Sequence, residues 1–87
     1  MYLNEIKSTI EEEGYYCTIK NNELYVGQNY KFEEGLGFGT YQKGFSIEIQ
    51  GKTLTIKYAI GQISTAKEFK TIEELLKFIR QVFPIED

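Results

Sequence analysis

The stretch that decides the fold is FSIEIQGKTLTIKY, residues 45–58, in which apolar and polar residues alternate on both sides of Gly51-Lys52. Glycine at the first of two central positions suits a type II′ turn, so the stretch predicts a β-hairpin. One face of that hairpin carries apolar residues: Phe45, Ile47, Ile49, Leu54, Ile56 and Tyr58. The other face carries Ser46, Glu48, Gln50, Thr53, Thr55 and Lys57. This alternation is typical of an antiparallel sheet with one packed face and one face in water.

A second hairpin is predicted earlier in the chain, around Asn21-Asn22. Asparagine tolerates the positive φ that both central residues of a type I′ turn adopt. The turn predicts four cross-strand pairs: Lys20–Glu23, Ile19–Leu24, Thr18–Tyr25 and Cys17–Val26. In this register the apolar residues share one face, whereas a shift by one residue would turn every side chain over. Tyr16 and Tyr25 then lie on the polar face.

Amphipathic helices are predicted on either side of the hairpins. The first spans Met1–Glu13 and ends at Gly14, which suits a left-handed C-terminal cap. The second begins at a capping box formed by Thr71 and Glu74 and stops before Pro84. Apolar residues recur at helical spacing in both: Leu3, Ile6 and Ile10 in the first, and Ile72, Leu75, Leu76, Ile79, Val82 and Phe83 in the second.

The order of elements is α-β-β-β-β-α, and residues 61–70 are left open between a fifth strand and a loop. A chain of 87 residues suits one domain, here residues 1–87. Both hairpins and both helices have one apolar side that needs a partner surface. We therefore expect an α+β two-layer sandwich, with a four- to five-stranded antiparallel sheet and both helices on one face.

Composition excludes several classes of function. There is no histidine and only one cysteine, Cys17, so no zinc cluster, metal site or cofactor is expected. No apolar stretch approaches the ~18 residues of a membrane span, and no membrane partner is expected. Met1–Lys7 shows no secretory pattern, and a single unpaired cysteine fits the cytoplasm. We expect Cys17 to be a buried small hydrophobe rather than a reactive thiol.

The most unusual segment is Gln28–Gly44, where four glycines alternate with five large apolar residues. Phosphate-binding patterns fail here, because Phe45 stands where a P-loop needs lysine and no G-x-G-x-x-G is complete. A partial match to an RNA-binding octapeptide begins at Lys43, but Ile47 replaces a stacking aromatic residue. The net charge of −3 also disfavours nucleic acid as a partner.

Two interpretations of this glycine-rich segment stay open. In one, Tyr30 and Phe32 extend the Asn21-Asn22 hairpin as an edge strand while Leu36 and Phe38 fill the core. In the other, the segment is a loop that presents its aromatic residues to a partner.

The expected function is a non-enzymatic small protein-binding module of the inhibitor, immunity or regulatory-subunit type, of the kind that phages and other mobile elements often encode. The predicted protein-binding residues are Tyr16, Tyr25, Tyr30, Phe32, Phe38 and Tyr41, since exposed aromatic residues supply rigid contact area. Residues 1–37 carry seven acidic and three basic side chains, which favours a basic partner. The alternatives are a homodimeric structural domain, paired through edge strands or open faces, and a weak RNA-binding domain that uses the sheet aromatics.

Overall fold

The computed structural model describes residues 2–33, 35, 37–42 and 44–85, and for residues 29–33, 38–42 and 60 it describes the backbone alone. Two helices enclose the strands in sequence: α1 (Leu3–Glu12), β1 (Tyr16–Lys20), β2 (Glu23–Gly27), β3 (Asn29–Glu33), β4 (Phe38–Gln42), β5 (Phe45–Gln50), β6 (Thr53–Ile60), β7 (Ile63–Phe69) and α2 (Ile72–Val82). The α+β class and the predicted order of helices and sheet strands are confirmed.

Five of these strands form one open antiparallel sheet in the order β1-β2-β5-β6-β7. The predicted registers are confirmed from Cys17↔Val26 to Lys20↔Glu23 and from Ser46↔Lys57 to Gln50↔Thr53. The turn residues explain why. Asn21 and Asn22 have φ values of 54° and 60°, as a type I′ turn requires, and Gly51 has a φ of 63°. Residues 61–70 contain the fifth strand of this sheet, β7, which pairs with β6 along its whole length.

The core lies between one face of the sheet and the two helices. Its fully buried side chains come from every layer: Ile6 and Ile10 of α1, Leu24, Val26, Ile47, Leu54 and Ile56 of the sheet, and Leu75 and Ile79 of α2. The capping box begins α2 as predicted, since the Thr71 hydroxyl accepts a hydrogen bond from the Glu74 backbone N–H at 3.2 Å. Thus both described helices cover the same face of the sheet.

The residues directly after α2 contact the start of β5 and the residues next to β1 and β2. The Phe83 ring stacks on Phe45 with 4.6 Å between ring centroids, and the Tyr15 hydroxyl donates a hydrogen bond to the Phe83 carbonyl. The Gln28 side-chain amide donates to the Pro84 carbonyl at 2.7 Å. An Arg80–Glu13 ion pair joins the C-terminal ends of the two helices.

The glycine-rich segment forms a separate two-stranded sheet, in which β4 is the partner of β3 among the described strands. The β3–β4 pairs continue the antiparallel register of β2 and β5 without a shift. Three residues beyond Val26 is Asn29, and its partner Gln42 lies three residues before Phe45, the partner of Val26. The two ladders are therefore successive parts of one long hairpin that is interrupted near Gly44. A Cβ at Gly44 would lie 3.0 Å from the Val26 carbonyl oxygen, so a larger residue there would have to displace the neighbouring backbone by a few tenths of an ångström. We call the β3–β4 hairpin the arm.

The arm corrects both interpretations of the glycine-rich segment. Tyr30 and Phe32 do not extend the five-stranded sheet as an edge strand, because β3 pairs with its own return strand. Nor is the segment a loop, since ten of its residues lie in β3 and β4. The proposed filling of the core by Leu36 and Phe38 concerns a residue and a side chain that lie outside those described.

Candidate functional site on the open face of the sheet

The side of the five-stranded sheet that faces away from both helices is called the open face. Side chains alternate between the two faces along each strand, so the residues on either side of a core residue lie on the open face. These include Tyr16, Thr18, Lys20, Glu23, Tyr25, Ser46, Glu48, Gln50, Thr53, Thr55 and Lys57, together with Ala59, Ser64, Ala66 and Glu68 on the last two strands. The polar face predicted from the two hairpins is thus one continuous surface over five strands.

Two exposed tyrosines lie at the β1–β2 side of the open face. Tyr16 is 50% exposed and Tyr25 is 39% exposed. Tyr16 is opposite Gly27 and Thr18 is opposite Tyr25, so the two tyrosines are diagonal neighbours on adjacent strands. Such neighbours have backbones about 7–8 Å apart, within reach of aromatic side chains. The structure therefore brings these two predicted site residues together.

A network of polar contacts borders the tyrosines. The Lys57 ammonium lies 2.7 Å from a Glu48 carboxylate oxygen and 3.5 Å from one of Glu23. Glu23 also accepts hydrogen bonds from the Ser46 hydroxyl at 3.0 Å and from the Tyr25 hydroxyl at 3.2 Å. The hydrogen bond to Glu23 raises the pKa of Tyr25, and the one from Lys57 lowers the pKa of Glu48. The network links β2, β5 and β6 and restrains the Tyr25 hydroxyl.

The sequence predicts that these charged residues share the polar face of the sheet, but it does not predict the contacts between them. Glu23 and Lys57 belong to different hairpins, and their contact depends on β2 lying next to β5. No local pattern in either hairpin specifies that neighbour. The one available signal was the position of Lys57 opposite Ser46 and diagonal to Glu48, which indicated a Lys57–Glu48 pair within the Gly51-Lys52 hairpin.

The open face has shallow depressions rather than a deep pocket in its described part. One is lined by Tyr25, Gly44, Ser46 and Lys57, and a second continues past Lys57 along β6 and β7. Small-molecule sites are usually concave and enclose most of the ligand. A wide, shallow surface with exposed aromatic side chains is better suited to contact with another macromolecule.

The other four predicted site residues lie on the arm. The backbone register places Tyr30 opposite Tyr41, Phe32 opposite Gly39 and Phe38 opposite Glu33. Their side chains lie outside those described, so their part in binding stays a prediction. They belong to a different sheet from Tyr16 and Tyr25, and the six residues therefore form two groups.

Cys17 occupies the core side of β1, where it is half-buried against the hydrophobic cluster. Burial, together with a smaller effect of the nearby Glu11 carboxylate that Lys7 opposes, raises the pKa of its thiol from 9.0 to about 12. The thiol is therefore protonated at neutral pH and is a poor nucleophile.

Within residues 2–33, 35, 37–42 and 44–85, no cluster of three or more cysteine or acidic side chains is arranged to hold a metal ion. Among the helices that the structure describes, neither is long and apolar enough to cross a membrane.

Comparisons with known proteins found no match among protein-family models, curated proteins or solved structures.

Proposed function

We propose that this chain is a non-enzymatic protein-binding module of the inhibitor, immunity or regulatory-subunit type, acting in the cytoplasm, of the kind that phages and other mobile elements encode. The observation that supports this most is the pair of exposed tyrosines, Tyr16 and Tyr25, on the sheet face opposite the two described helices. Tyrosine is enriched at protein interfaces because its ring adds contact area and loses little conformational entropy on binding.

The contacts around the tyrosines favour binding to a protein surface. Glu23 accepts the Tyr25 hydroxyl hydrogen bond and is itself held by Ser46 and Lys57. A side chain restrained before binding loses less entropy in the complex. Lys57 compensates one of the two carboxylate charges of Glu23 and Glu48. The network is therefore polar and weakly acidic, which suits the rim of an interface with a basic partner.

The charge distribution favours a partner whose contact surface is basic. The tyrosines lie in the acidic first part of the chain, and Glu11 and Glu12 are exposed at the end of α1 that leads into β1. Lysine and arginine side chains of the partner would complement these carboxylates and accelerate association. Binding is then expected to weaken as ionic strength rises.

The test is affinity capture from the native lysate with the immobilised full chain, followed by measurement of the dissociation constant of the enriched partner. We expect the double variant Tyr16→Ser, Tyr25→Ser to lose at least about 2 kcal/mol, or roughly 30-fold in affinity, as removal of interface anchors does. Tyr2→Ser is the matched control, because Tyr2 is 72% exposed on the N-terminal segment outside the open face. An unchanged affinity for the double variant, or the absence of any enriched partner, would contradict the proposal.

A further inference from the structure

The two edge strands of the five-stranded sheet differ in how they are protected. On β7, Lys67 lies opposite Ile56 on the helix-covered side, and its ammonium is 4.9 Å from the centre of the Phe78 ring. A charged residue that points inward on an edge strand prevents a further strand from pairing there. On β1 the corresponding positions are Cys17 and Ile19, which are apolar and half-buried. The β1 edge therefore lacks the protection that β7 has.

The turn at Asn21-Asn22 determines which backbone groups of β1 point away from β2. A two-residue turn is closed by a pair that exchanges both hydrogen bonds, here Lys20 and Glu23. Bonded and non-bonded pairs then alternate along the ladder, so the N–H and C=O groups of Cys17 and Ile19 point outward. In the part of the chain that the structure describes, no strand lies on that side of β1.

The residue order of β1 complements itself when the strand is reversed. With a two-fold axis through Thr18, Cys17 faces Ile19 of a second copy, and the outward groups of both can exchange hydrogen bonds. On the open face Tyr16 meets Lys20 of the second copy, a favourable aromatic–cation contact, and the two Thr18 residues meet each other. No two like charges face each other in this register.

The flank of α1 follows the same symmetry. Lys7 and Glu11 form an ion pair at 3.3 Å, and both are close enough to Cys17 to act electrostatically on its thiol. This pair therefore lies on the side of α1 near β1, at about the level of the proposed axis. Two-fold rotation reverses α1, so Lys7 of one copy would face Glu11 of the other. An isologous interface requires this kind of self-complementary charge pattern.

We propose that β1 pairs antiparallel with β1 of a second copy around a two-fold axis at Thr18, giving a dimer with one continuous ten-stranded sheet. The open faces of the two copies then join into one surface. The dimer does not depend on the proposed function, because the outward backbone groups of Cys17 and Ile19 make the pairing. Tyr16 belongs to both surfaces, since it also lies diagonal to Tyr25 on the open face.

Charge pairing at the axis gives a direct test by sedimentation velocity. We expect the unmodified chain to sediment at twice its 10.1 kDa mass. Thr18→Lys and Thr18→Glu each place two like charges at the axis, about 4.5 Å apart by backbone distance, and are expected to weaken the dimer at least tenfold. An equimolar mixture of the two variants should form dimers again. Ser64→Lys and Ser64→Glu, on the exposed part of β7, are the matched controls and should remain dimeric.

Hydrogen exchange of the unmodified chain tests the same interface without substitution. The amides of Cys17 and Ile19 should become more protected as the protein concentration rises, whereas the outward amides of β7 should not change. A monomer at millimolar concentration would overturn the proposal. So would folded Thr18 variants that remain dimeric alone, or exchange at Cys17 and Ile19 that does not depend on concentration.

Discussion

Among single residues, Thr55 departs most clearly from the pattern of its strand. It lies on the open face, yet only 6% of its surface is exposed, and its hydroxyl has no hydrogen-bond partner among the described residues. Its neighbours across the sheet are Glu48 and Glu68. A buried hydroxyl without a partner has lost its hydrogen bonds to water and has gained none within the protein, which lowers stability.

Replacing the Thr55 hydroxyl with a methyl group should therefore stabilise the protein. We expect Thr55→Val to raise the free energy of unfolding by about 1 kcal/mol, which raises Tm by roughly 4–8 °C in a domain of this size. Thr53→Val, two residues earlier on the same face, should change stability by less than about 0.5 kcal/mol. Thermal unfolding of both variants checks this, and a destabilised Thr55→Val would show that the hydroxyl has a partner.

Cys17 makes the stability of the fold depend on pH in the alkaline range. Its pKa is 9.0 in the unfolded chain and about 12 in the folded one, so the folded state holds the proton more tightly. The stabilisation it confers is complete below pH 9.0 and is lost as pH rises toward 12. We expect the unmodified chain to lose more stability than Cys17→Ala between pH 8 and pH 10, measured by urea unfolding. Equal losses of stability in the two proteins would mean that the Cys17 thiol is not buried away from water.

At the scale of elements, local chemistry made both main hairpins predictable. Asn21-Asn22 and Gly51-Lys52 specify two-residue turns, and a single register satisfies the alternation on each side. The sequence does not decide between a strand and a loop for residues 61–70, because Lys67 lies on the helix-covered side of β7 and interrupts the alternation. The order β2-β5 also could not be predicted, since it depends on how the two hairpins pack, and with it the Glu23–Lys57 contact was missed.

The arm was missed for a different reason. Its glycines suggested a loop, while the alternation of Tyr30 and Phe32 suggested an extra edge strand of the sheet. The structure instead continues the β2–β5 register into β3 and β4. Continued register is a property of two strands together, and the sequence shows it only once both strands have been located.

The arm carries its own prediction. Because β4 pairs with β3 outside the five-stranded sheet, Phe38→Ser with Tyr41→Ser should leave Tm within about 3 °C and lower partner affinity by at least about 2 kcal/mol. Ile56→Ala in the central strand β6 is the comparison, with an expected cost of about 2–5 kcal/mol. A stability loss of about 3–5 kcal/mol in the double variant would instead place Phe38 in the core and exclude the arm from binding.

At the scale of the whole molecule, the sheet separates two surfaces of different character. Helices α1 and α2 cover one face, and the other face carries the tyrosine pair and the Glu23–Glu48–Lys57 network. The covered side also has exposed residues, such as Glu73 and Lys77 on α2. A partner bound through the open face would leave those residues in solvent.

Site-specific photo-crosslinking in cells distinguishes the two surfaces directly. A photoreactive amino acid at Tyr25 or Gln50 on the open face should give a covalent adduct with one partner protein. The same amino acid at Glu73 or Lys77 should give none, although all four side chains are exposed. Adducts formed from α2 and not from the open face would contradict our central claim that the open face is the protein-binding surface.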